Sequence, residues 1–471
     1  ESFSGGGGHS SGGGGGGGGG GAILELVFHL LRLCVYYPAV GLPILAIILA
    51  FVIYHAWKKH QDRDWDSGPP VALQRGDATR LDHIRTIDPD FSTVLFEDFC
   101  FRLYATAQRA RTRAADLDAL APYLSDGARR DLREREPMGV PVDHVIVGAM
   151  RPFRVDVPAA AADEQGQPTY ARVGIELEAN YSVGAGPARR TFYVVEHWLL
   201  RRFASARTRA PATANRFPCP SCGANFQSSD GARCDYCGEV VASGRFDWQV
   251  EQIILRHSAD KGPTLTGQVQ ERGTDLPTYH QDGFTNRWLA LQQEDPDVTD
   301  AAILARLELV YRELNQGWTR NQLAPVRGLV SDGLYDYLQY WVDAYRAQGL
   351  RNVLEEMRIT HTELVKLARD RYYDALTIRL WAVGRDYTIR EADGSVVGGN
   401  RHRDRAYSEY WTLIRSAARR GAVLTGPQCP SCGALLQINM AGSCEFCSAH
   451  LTAGEFDWVL SKIEQDDTYR G

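Results

Sequence analysis

Two stretches of the chain carry the same spacing of four cysteines, C-x2-C-x11-C-x2-C, which constrains the fold more than any other feature. The two sets are Cys219, Cys222, Cys234, Cys237 and Cys429, Cys432, Cys444, Cys447. The spacing is typical of a zinc ribbon, in which two turns supply four thiolates to one tetrahedral Zn²⁺; the alternative is two pairs of disulfides. Because protein supplies all four ligands, no position remains for water. The sequence therefore predicts two structural zinc ions.

The residue that follows each cysteine pair supports this interpretation. Gly223, Gly238 and Gly433 follow a pair directly, and Ser448 stands at the fourth such place. A tight turn that aims backbone N–H groups at sulfur favours positive φ, which glycine adopts without steric cost. The sequence predicts such turns at the glycines, with the serine as a small departure.

The chain also repeats itself around the cysteines. The two sets are 210 residues apart (429 − 219), and Phe246-Asp247-Trp248 returns as Phe456-Asp457-Trp458 at the same offset. Upstream the offset drifts, as small loop insertions would cause. The further repeated pieces are Asp88-Pro89-Asp90 with Asp295-Pro296-Asp297, and Glu196-His197-Trp198 with Glu409-Tyr410-Trp411. The chain is therefore predicted to hold two copies of one unit, each a domain followed by a ribbon.

Helical periodicity opens each copy. Ser92 and Thr299 are placed to cap a first helix, and Ser125 and Ser331 a second. The apolar residues after these caps recur at helical spacing. They are Leu95, Phe99 and Leu103 after Ser92, Ile303, Leu307, Val310 and Leu314 after Thr299, and Leu334, Leu338, Trp341, Val342 and Tyr345 after Ser331.

Strand-like alternation follows the helices. In 173–181 apolar residues alternate with polar ones, and Leu376, Ile378 and Leu380 alternate with Thr377 and Arg379 in the second copy. This is the pattern of an antiparallel strand with one buried face. Helices followed by such strands predict an α+β fold, with helices on one face of a curved antiparallel sheet.

The first 57 residues differ in composition from the rest. Residues 1–21 are almost entirely glycine and serine, which is typical of a flexible tract. Residues 22–37 place charged groups on one side of an apolar helix and are predicted to lie along a membrane surface. Residues 39–57 are 19 positions without a charge, about 28 Å of helix, and are predicted to cross a membrane once.

The residues after this stretch suggest a topology. Lys58 and Lys59 follow it directly, and positive residues favour the cytoplasmic side of a membrane. Eight cysteines at metal spacing also suit a reducing compartment, where thiolates stay free for zinc. We therefore expect the soluble part of the chain to lie in the cytoplasm.

The predicted organisation has eight parts. They are a glycine-rich tract (1–21), an interfacial and a transmembrane helix (22–57), a linker (58–86), a first domain (87–216), a first ribbon with a closing segment (217–257), a second linker (258–286), a second domain (287–427), and a second ribbon with a closing segment (428–471).

The chain is close to neutral, with 52 basic and 58 acidic residues. This balance and the lack of a basic ribbon argue against a nucleic-acid-binding protein. Arginines do cluster around 109–135 and 201–209, where anionic lipid or ribosomal RNA could bind. Because acidic residues interleave with the first cluster, a solvated helical face is the favoured interpretation.

The strand motif Glu-x-Trp-x-x-x-Arg occurs in both copies, as Glu196 to Arg202 and as Glu409 to Arg415. Together with the Asp-Pro-Asp and Phe-Asp-Trp pieces and the glycine-rich start, it resembles bacterial relatives of the mitochondrial protein-import tether. The matching part is the C-terminal domain of subunit 44 of the inner-membrane translocase, and the resemblance covers most of 87–216 and 287–415.

This resemblance implies the cone-shaped fold of the nuclear-transport-factor-2 superfamily. It also implies binding to membrane surfaces and partner proteins at a bacterial inner membrane. Tandem copies and inserted ribbons depart from the mitochondrial pattern.

Two functions therefore compete. The first is a membrane-anchored adaptor or scaffold without enzymatic activity, which fits the absence of a catalytic or phosphate-binding motif. The second is a ligand-binding or enzymatic cone domain, because this fold can enclose an apolar pocket with one acidic or histidine base. The candidate bases are His144, Glu176, His197, His361 and Glu363.

Overall fold

The structure is a computed structural model that describes positions 32, 35–61, 81–210, 217–262, 265, 274–422, 429, 431–435, 437–439, 442–449, 451, 452, 454–466, 468, 469 and 471. At 55–61 and 187 the description covers the backbone alone. The glycine-rich tract and most of the predicted interfacial helix and first linker lie outside the described residues.

The described chain begins with one apolar helix, α1 (Pro38–Gln61), which contains Pro43. Its side chains are exposed; Ile47, Phe51 and Ile53, for example, are each more than 60% exposed. Among the described residues, however, no helix is long and apolar enough to cross a membrane, which differs from the span predicted over 39–57. The part of α1 with described side chains, 38–54, is about 25 Å long, against roughly 30 Å of hydrocarbon.

The first unit places three helices before one antiparallel sheet. Its elements are α2 (Thr93–Ala110), α3 (Ala114–Asp118), α4 (Asp126–Arg133), β1 (Val142–Asp156), β2 (Tyr170–Val183), β3 (Arg190–Phe203) and β4 (Gln249–Asp260). The four strands pair in chain order. The helices pack on one face of this sheet, where they enclose an apolar core.

The second unit follows the same order. Its elements are α5 (Phe284–Glu294), α6 (Asp300–Thr319), α7 (Asp332–Ala347), β5 (Leu350–Arg369), β6 (Tyr373–Arg390), β7 (Val396–Gly399), β8 (Arg405–Ser416) and β9 (Val459–Gln465). The antiparallel sheet has the order β5-β6-β8-β9, and the short β7 pairs with β6. The α+β architecture with antiparallel sheets agrees with the sequence prediction.

Each cysteine-rich segment lies inside a sheet connection. It joins β3 to β4 in the first unit and β8 to β9 in the second. The predicted closing segments therefore form the last strand of each sheet, paired antiparallel with β3 and β8. Each candidate metal centre thus links two neighbouring strands.

The helix caps are where the sequence predicts them. The hydroxyls of Ser92, Ser125, Thr299 and Ser331 each accept a hydrogen bond from a backbone N–H in the first helical turn. Such caps satisfy donors that the helix itself leaves unpaired. In β2 the five predicted core positions are also all buried; they are Val173, Ile175, Leu177, Ala179 and Tyr181.

Helix α2 serves both units. Leu103 lies in the core of the first unit and Phe99 packs at the margin of that core, as predicted. Leu95, however, packs with Val94 against the second unit, on a cluster formed by Tyr373, Ala375, Ile414 and Val459. The two units therefore pack against each other, and part of the predicted apolar face of α2 belongs to their interface.

Polar contacts also join the units. The Arg371 guanidinium donates to the Asp90 carboxylate at 2.7 Å, and the Tyr372 hydroxyl donates to the Thr208 carbonyl at 3.2 Å. Lys462 on β9 forms an ion pair with Glu97 on α2. The chain has only five lysines, and one of them lies at this interface.

A charge cluster surrounds this ion pair. Burial raises the pKa of Glu464, and Lys462, Glu97, Lys366 and Arg151 are the charged groups close enough to contribute. For Lys462, burial lowers the pKa, but Glu97 and Glu464 outweigh it and the net pKa is raised. The cluster therefore favours a charged Lys462 and disfavours a charged Glu464.

We expect Glu464→Gln to stabilise the interface at neutral pH, by about 1 kcal/mol, the ordinary size of a single-substitution effect. The raised pKa means that folding disfavours the carboxylate, so the cost is present at neutral pH and disappears below the ordinary glutamate pKa of 4.5. Urea unfolding at pH 4 and pH 7 measures this. Glu97→Gln is the matched control, which should destabilise at pH 7. A Glu464→Gln chain less stable than wild type at pH 7 would contradict the expectation.

The connection between the units crosses the sheet of the second one. The Arg379 guanidinium donates to the Leu276 carbonyl at 2.8 Å and to the Thr278 hydroxyl at 2.9 Å. It also forms an ion pair with Asp466 at 2.8 Å. Although Arg379 stands at a polar position of the alternating pattern, it is fully buried under residues 274–278.

Candidate metal centres

Four sulfurs converge at each of the two predicted sites. In each set every Sγ atom lies within 4.8 Å of the other three. The sets are Cys219, Cys222, Cys234, Cys237 and Cys429, Cys432, Cys444, Cys447. The structure thus brings together all eight predicted ligands in two separate clusters, each of which can hold a metal ion.

The sulfur separations discriminate between a metal site and disulfides. Sγ of Cys219 lies 3.9 Å from that of Cys237, and Sγ of Cys429 lies 3.8 Å from that of Cys447. Sulfurs at 2.3 Å from a tetrahedral Zn²⁺ would be about 3.8 Å apart, whereas a disulfide measures about 2.05 Å. All eight cysteines are free thiols. The donor set and its geometry therefore fit a tetrahedral thiolate-bound metal.

Tight turns hold the cysteines in place. Gly223 N–H donates to the Cys219 carbonyl at 2.9 Å, and Gly238 N–H donates to the Cys234 carbonyl at 2.8 Å. The predicted positive φ is present, at 79° for Gly223 and 71° for Gly238. Ser448 adopts the same conformation, with φ 59°. The turn geometry therefore occurs in both clusters, including the place where glycine is missing.

These turns also lower the pKa of one thiol in each cluster. The backbone N–H of Glu239 lowers the pKa of Cys237 to about 7. In the second cluster the backbone N–H of Ala449 lowers the pKa of Cys447 to about 7. Hydrogen bonds that favour the thiolate favour the form that binds metal. Each cluster thus carries one thiol prepared for deprotonation near neutral pH.

We expect Ser448→Gly to stabilise the second cluster by about 0.5–1 kcal/mol. The left-handed conformation costs a non-glycine residue about 1–2 kcal/mol, and the larger entropy that glycine loses on folding cancels part of the gain. Competition with a chelator, followed by the rate of metal release from each site, measures the effect. Gly238→Ser, the reverse substitution at the matching place in the first cluster, is the control and should accelerate metal release from that cluster. Equal release rates before and after Ser448→Gly would contradict the account.

Each cluster is docked onto its own unit. The Tyr123 hydroxyl donates to the Pro218 carbonyl at 2.6 Å, and Phe217 packs against Tyr123 and Phe99. In the second unit Thr452 donates to the Asp332 carboxylate at 2.6 Å, at the start of α7. The two clusters are therefore fixed to the helices as well as to the strands.

The sequence motifs outside the cysteines form one buried network in each unit. In the first, the Arg202 guanidinium donates to Asp88 at 2.8 Å and lies 4.7 Å from the centre of the Trp248 ring. In the second, Arg415 donates to Asp295 at 2.8 Å and lies 4.8 Å from the Trp458 ring. The Asp-Pro-Asp, Glu-x-Trp-x-x-x-Arg and Phe-Asp-Trp pieces thus meet in space.

The glutamate of the motif is also buried. Glu196 accepts hydrogen bonds from the Trp198 indole at 2.8 Å, the Gln108 amide at 3.1 Å and the Tyr104 hydroxyl at 3.2 Å, and it pairs with Arg135. Glu409 accepts from the Trp411 indole at 2.9 Å. The motif residues stabilise the fold from inside the core and do not form an exposed site.

The candidate bases lie elsewhere. His197 and Glu176 meet at 3.0 Å, and His361 and Glu363 meet at 3.2 Å. Both pairs lie on the sheet face opposite to the apolar core, where Phe153 packs on His197 and Glu363 pairs with His280. His144 is exposed on a left-handed position of β1, with φ 46°. The structure therefore pairs four of the five candidates, but it does not place them in an enclosed apolar pocket.

The comparison with known families bears on the second unit. Residues 289–423 match the profile of a family described as the Tim44-like domain. The resemblance predicted over 287–415 is thereby confirmed for that unit, while the one predicted over 87–216 stays a prediction. None of the curated proteins compared with the chain matches it.

Proposed function

We propose that this protein is a non-enzymatic adaptor that presents two tether-like domains to partner proteins. The observation that carries the proposal is the Tim44-like match over residues 289–423. The resemblance to the import tether implies a domain that binds partners and membrane surfaces and has no reaction of its own. The candidate base pairs lie on the sheet face opposite to the apolar core, which supports an adaptor over an enzyme with an enclosed pocket.

The first unit is, in this proposal, a second domain of the same type. The support is the shared buried network, in which Arg202, Asp88 and Trp248 repeat the arrangement of their counterparts in the second unit. Both units would then be cone-shaped domains of the nuclear-transport-factor-2 superfamily. The inter-unit contacts of α2 support a scaffold that presents them together.

The two metals are structural zinc ions in this proposal. Four thiolates and no other donor favour Zn²⁺ and leave no coordination position open. Each ribbon would also present an exposed aromatic side chain, Tyr236 at 62% and Phe446 at 60% exposure, at matching places beside the last cysteine of each set. Such side chains are suited to protein contacts, since aromatic residues are enriched in protein–protein interfaces.

The proposed location of the protein rests on helix α1 and on the cysteines. The exposed apolar side chains of α1 favour attachment to a membrane, and free thiolates favour the cytoplasmic side of a bacterial inner membrane. Exposed Lys261 offers the test. A membrane-impermeant amine reagent should leave it unlabelled in intact spheroplasts and label it after lysis; labelling before lysis would place the domains outside the cytoplasm.

The adaptor proposal is tested by affinity isolation of the tagged full chain from cross-linked, detergent-solubilised membranes. A small set of proteins should be recovered in near-stoichiometric amounts, and Tyr236→Ser/Phe446→Ser should reduce that recovery. A matched variant, Arg113→Ser, changes an exposed side chain outside the ribbons and should recover the same set as wild type. Recovery of no protein above the tag-only background, from a zinc-loaded chain, would overturn the proposal.

A further inference from the structure

One buried arginine in the first unit has no partner that accepts its hydrogen bonds. Arg111 caps the C-terminal end of α2 and is only 4% exposed. None of its three side-chain nitrogens forms a hydrogen bond with any described residue. Its guanidinium lies 5.0 Å from the centre of the Tyr181 ring.

The surroundings do not compensate this charge. A buried guanidinium has five N–H donors and is costly to bury unless paired. The Tyr181 ring and the C-terminal end of α2 both favour a cation. Each offsets only part of the cost of burying the charge. Neither supplies hydrogen-bond acceptors for all five N–H groups. The other buried charges nearby, Arg135 and Glu196, already pair with each other. Among the residues that the structure describes, Arg111 is therefore a buried cation without a hydrogen-bonded or ion-paired partner.

A second polar atom is also unpaired close to Arg111 in the chain. Oε1 of Gln108, one helical turn earlier on α2, has no hydrogen-bond donor among the described residues, while the amide nitrogen of Gln108 donates to Glu196. Arg111 offers donors and Gln108 offers an acceptor. A ligand that satisfies both would carry acidic oxygens together with a hydroxyl group.

The second unit provides an internal comparison. The caps Ser92 and Thr299 and the core tyrosines Tyr104 and Tyr311 align α2 with α6 at an offset of 207, which places Trp318 where the first unit has Arg111. The Trp318 indole donates to Asn352 Oδ1 at 2.8 Å. The second unit thus fills this place with an apolar, hydrogen-bonded side chain, so the fold does not require a cation there.

We propose that the interior of the first unit, at the end of α2, binds a small organic carboxylate whose oxygens accept hydrogen bonds from Arg111. The carboxylate neutralises the guanidinium beside the Tyr181 ring. Arg113, two residues further along the chain, is exposed and provides a matched control. This binding is separate from the adaptor function and from both cysteine clusters.

The test uses the full zinc-loaded chain and two probes, sodium acetate and sodium lactate, with sodium chloride at the same ionic strength as reference. Both carboxylates should raise the melting temperature, lactate more than acetate because its hydroxyl offers the donor that Oε1 of Gln108 lacks. Arg111→Met should weaken the response by about 10–100-fold in apparent Kd, as expected for a lost charged hydrogen bond. Arg111→Met should also melt higher than wild type in chloride, because no unpaired charge is buried.

Two controls separate the outcomes. Arg113→Met removes an exposed arginine and should respond as wild type does, whereas Arg111→Lys keeps the charge and should retain a reduced response. Zinc content and near-ultraviolet circular dichroism establish that each variant is folded. A wild-type response to carboxylates equal to that to chloride would overturn the proposal, as would an unchanged response in folded Arg111→Met; Arg111 would then be satisfied by water alone.

Discussion

Replacing Cys222 by serine is expected to lower the zinc content from two ions to one per chain and to unfold the first ribbon. A closed thiolate site contributes about 10–16 kcal/mol of metal-coupled folding energy in isolated zinc fingers, and one missing thiolate loses much of it. The ribbon itself buries few apolar side chains, among them Phe226 and Val241, so little else holds it together. Elemental analysis and limited proteolysis around 217–245 measure the two effects.

The control for this substitution is Cys100→Ser. Cys100 is buried in the core of the first unit and belongs to neither cluster, and burial raises its thiol pKa. This variant should keep two zinc ions, even if the core is destabilised. Cys432→Ser should reproduce the zinc loss in the second ribbon. If Cys222→Ser keeps both zinc ions and its protease resistance, the cluster is not a structural metal site.

Replacing Arg415 by methionine is expected to be the most damaging single change within the second sheet. Arg415 is 2% exposed and holds two buried carboxylates, Asp295 at 2.8 Å and Asp374 at 3.2 Å. Removing one partner of a buried pair leaves an uncompensated charge, which costs about 3–5 kcal/mol. Urea unfolding of the full chain, followed by tryptophan fluorescence, measures this loss.

Two further variants calibrate that value. Arg202→Met in the first unit removes the ion-pair partner of the buried Asp88, which keeps its hydrogen bonds from Thr208, and should lose a comparable or smaller amount. Arg113→Met breaks only the exposed pair with Asp116, which lies at 2.7 Å, and should cost less than about 1 kcal/mol. If Arg415→Met cost no more than Arg113→Met, the shared motif would have to be interpreted as a surface feature and not as the core of the domain.

The local features of this fold were predictable from the sequence. The cysteine spacing identified the eight cysteines that the structure brings together in two clusters, because a site formed by two short turns is encoded within about twenty residues. The caps at Ser92 and Thr299 and the alternation in 173–181 were predictable for the same reason. Each depends on neighbours in the chain and on little else.

The features that could not be predicted from the sequence depend on contacts between residues far apart in the chain. Arg379 follows the polar half of an alternating pattern, yet residues 274–278 cover it. Leu95 matches the apolar face of α2, but it faces the second unit. The partnership of Arg202 with Asp88 spans 114 residues and could be noticed only as two repeated motifs. The unpaired state of Arg111 has no sequence signal except its difference from Trp318.

The contact between α2 and β9 has a consequence for solubility. A strand at the border of a sheet presents unpaired backbone groups that can recruit another chain into aggregates. β9 is such a border strand, and its backbone at Leu460 pairs with Leu329 and Ser331 of its own unit. Its side chains Lys462 and Val459 pack against Glu97 and Leu95 of the first unit. A fragment that begins at residue 274 would lack α2 and would expose these side chains beside the border, which the full chain keeps covered.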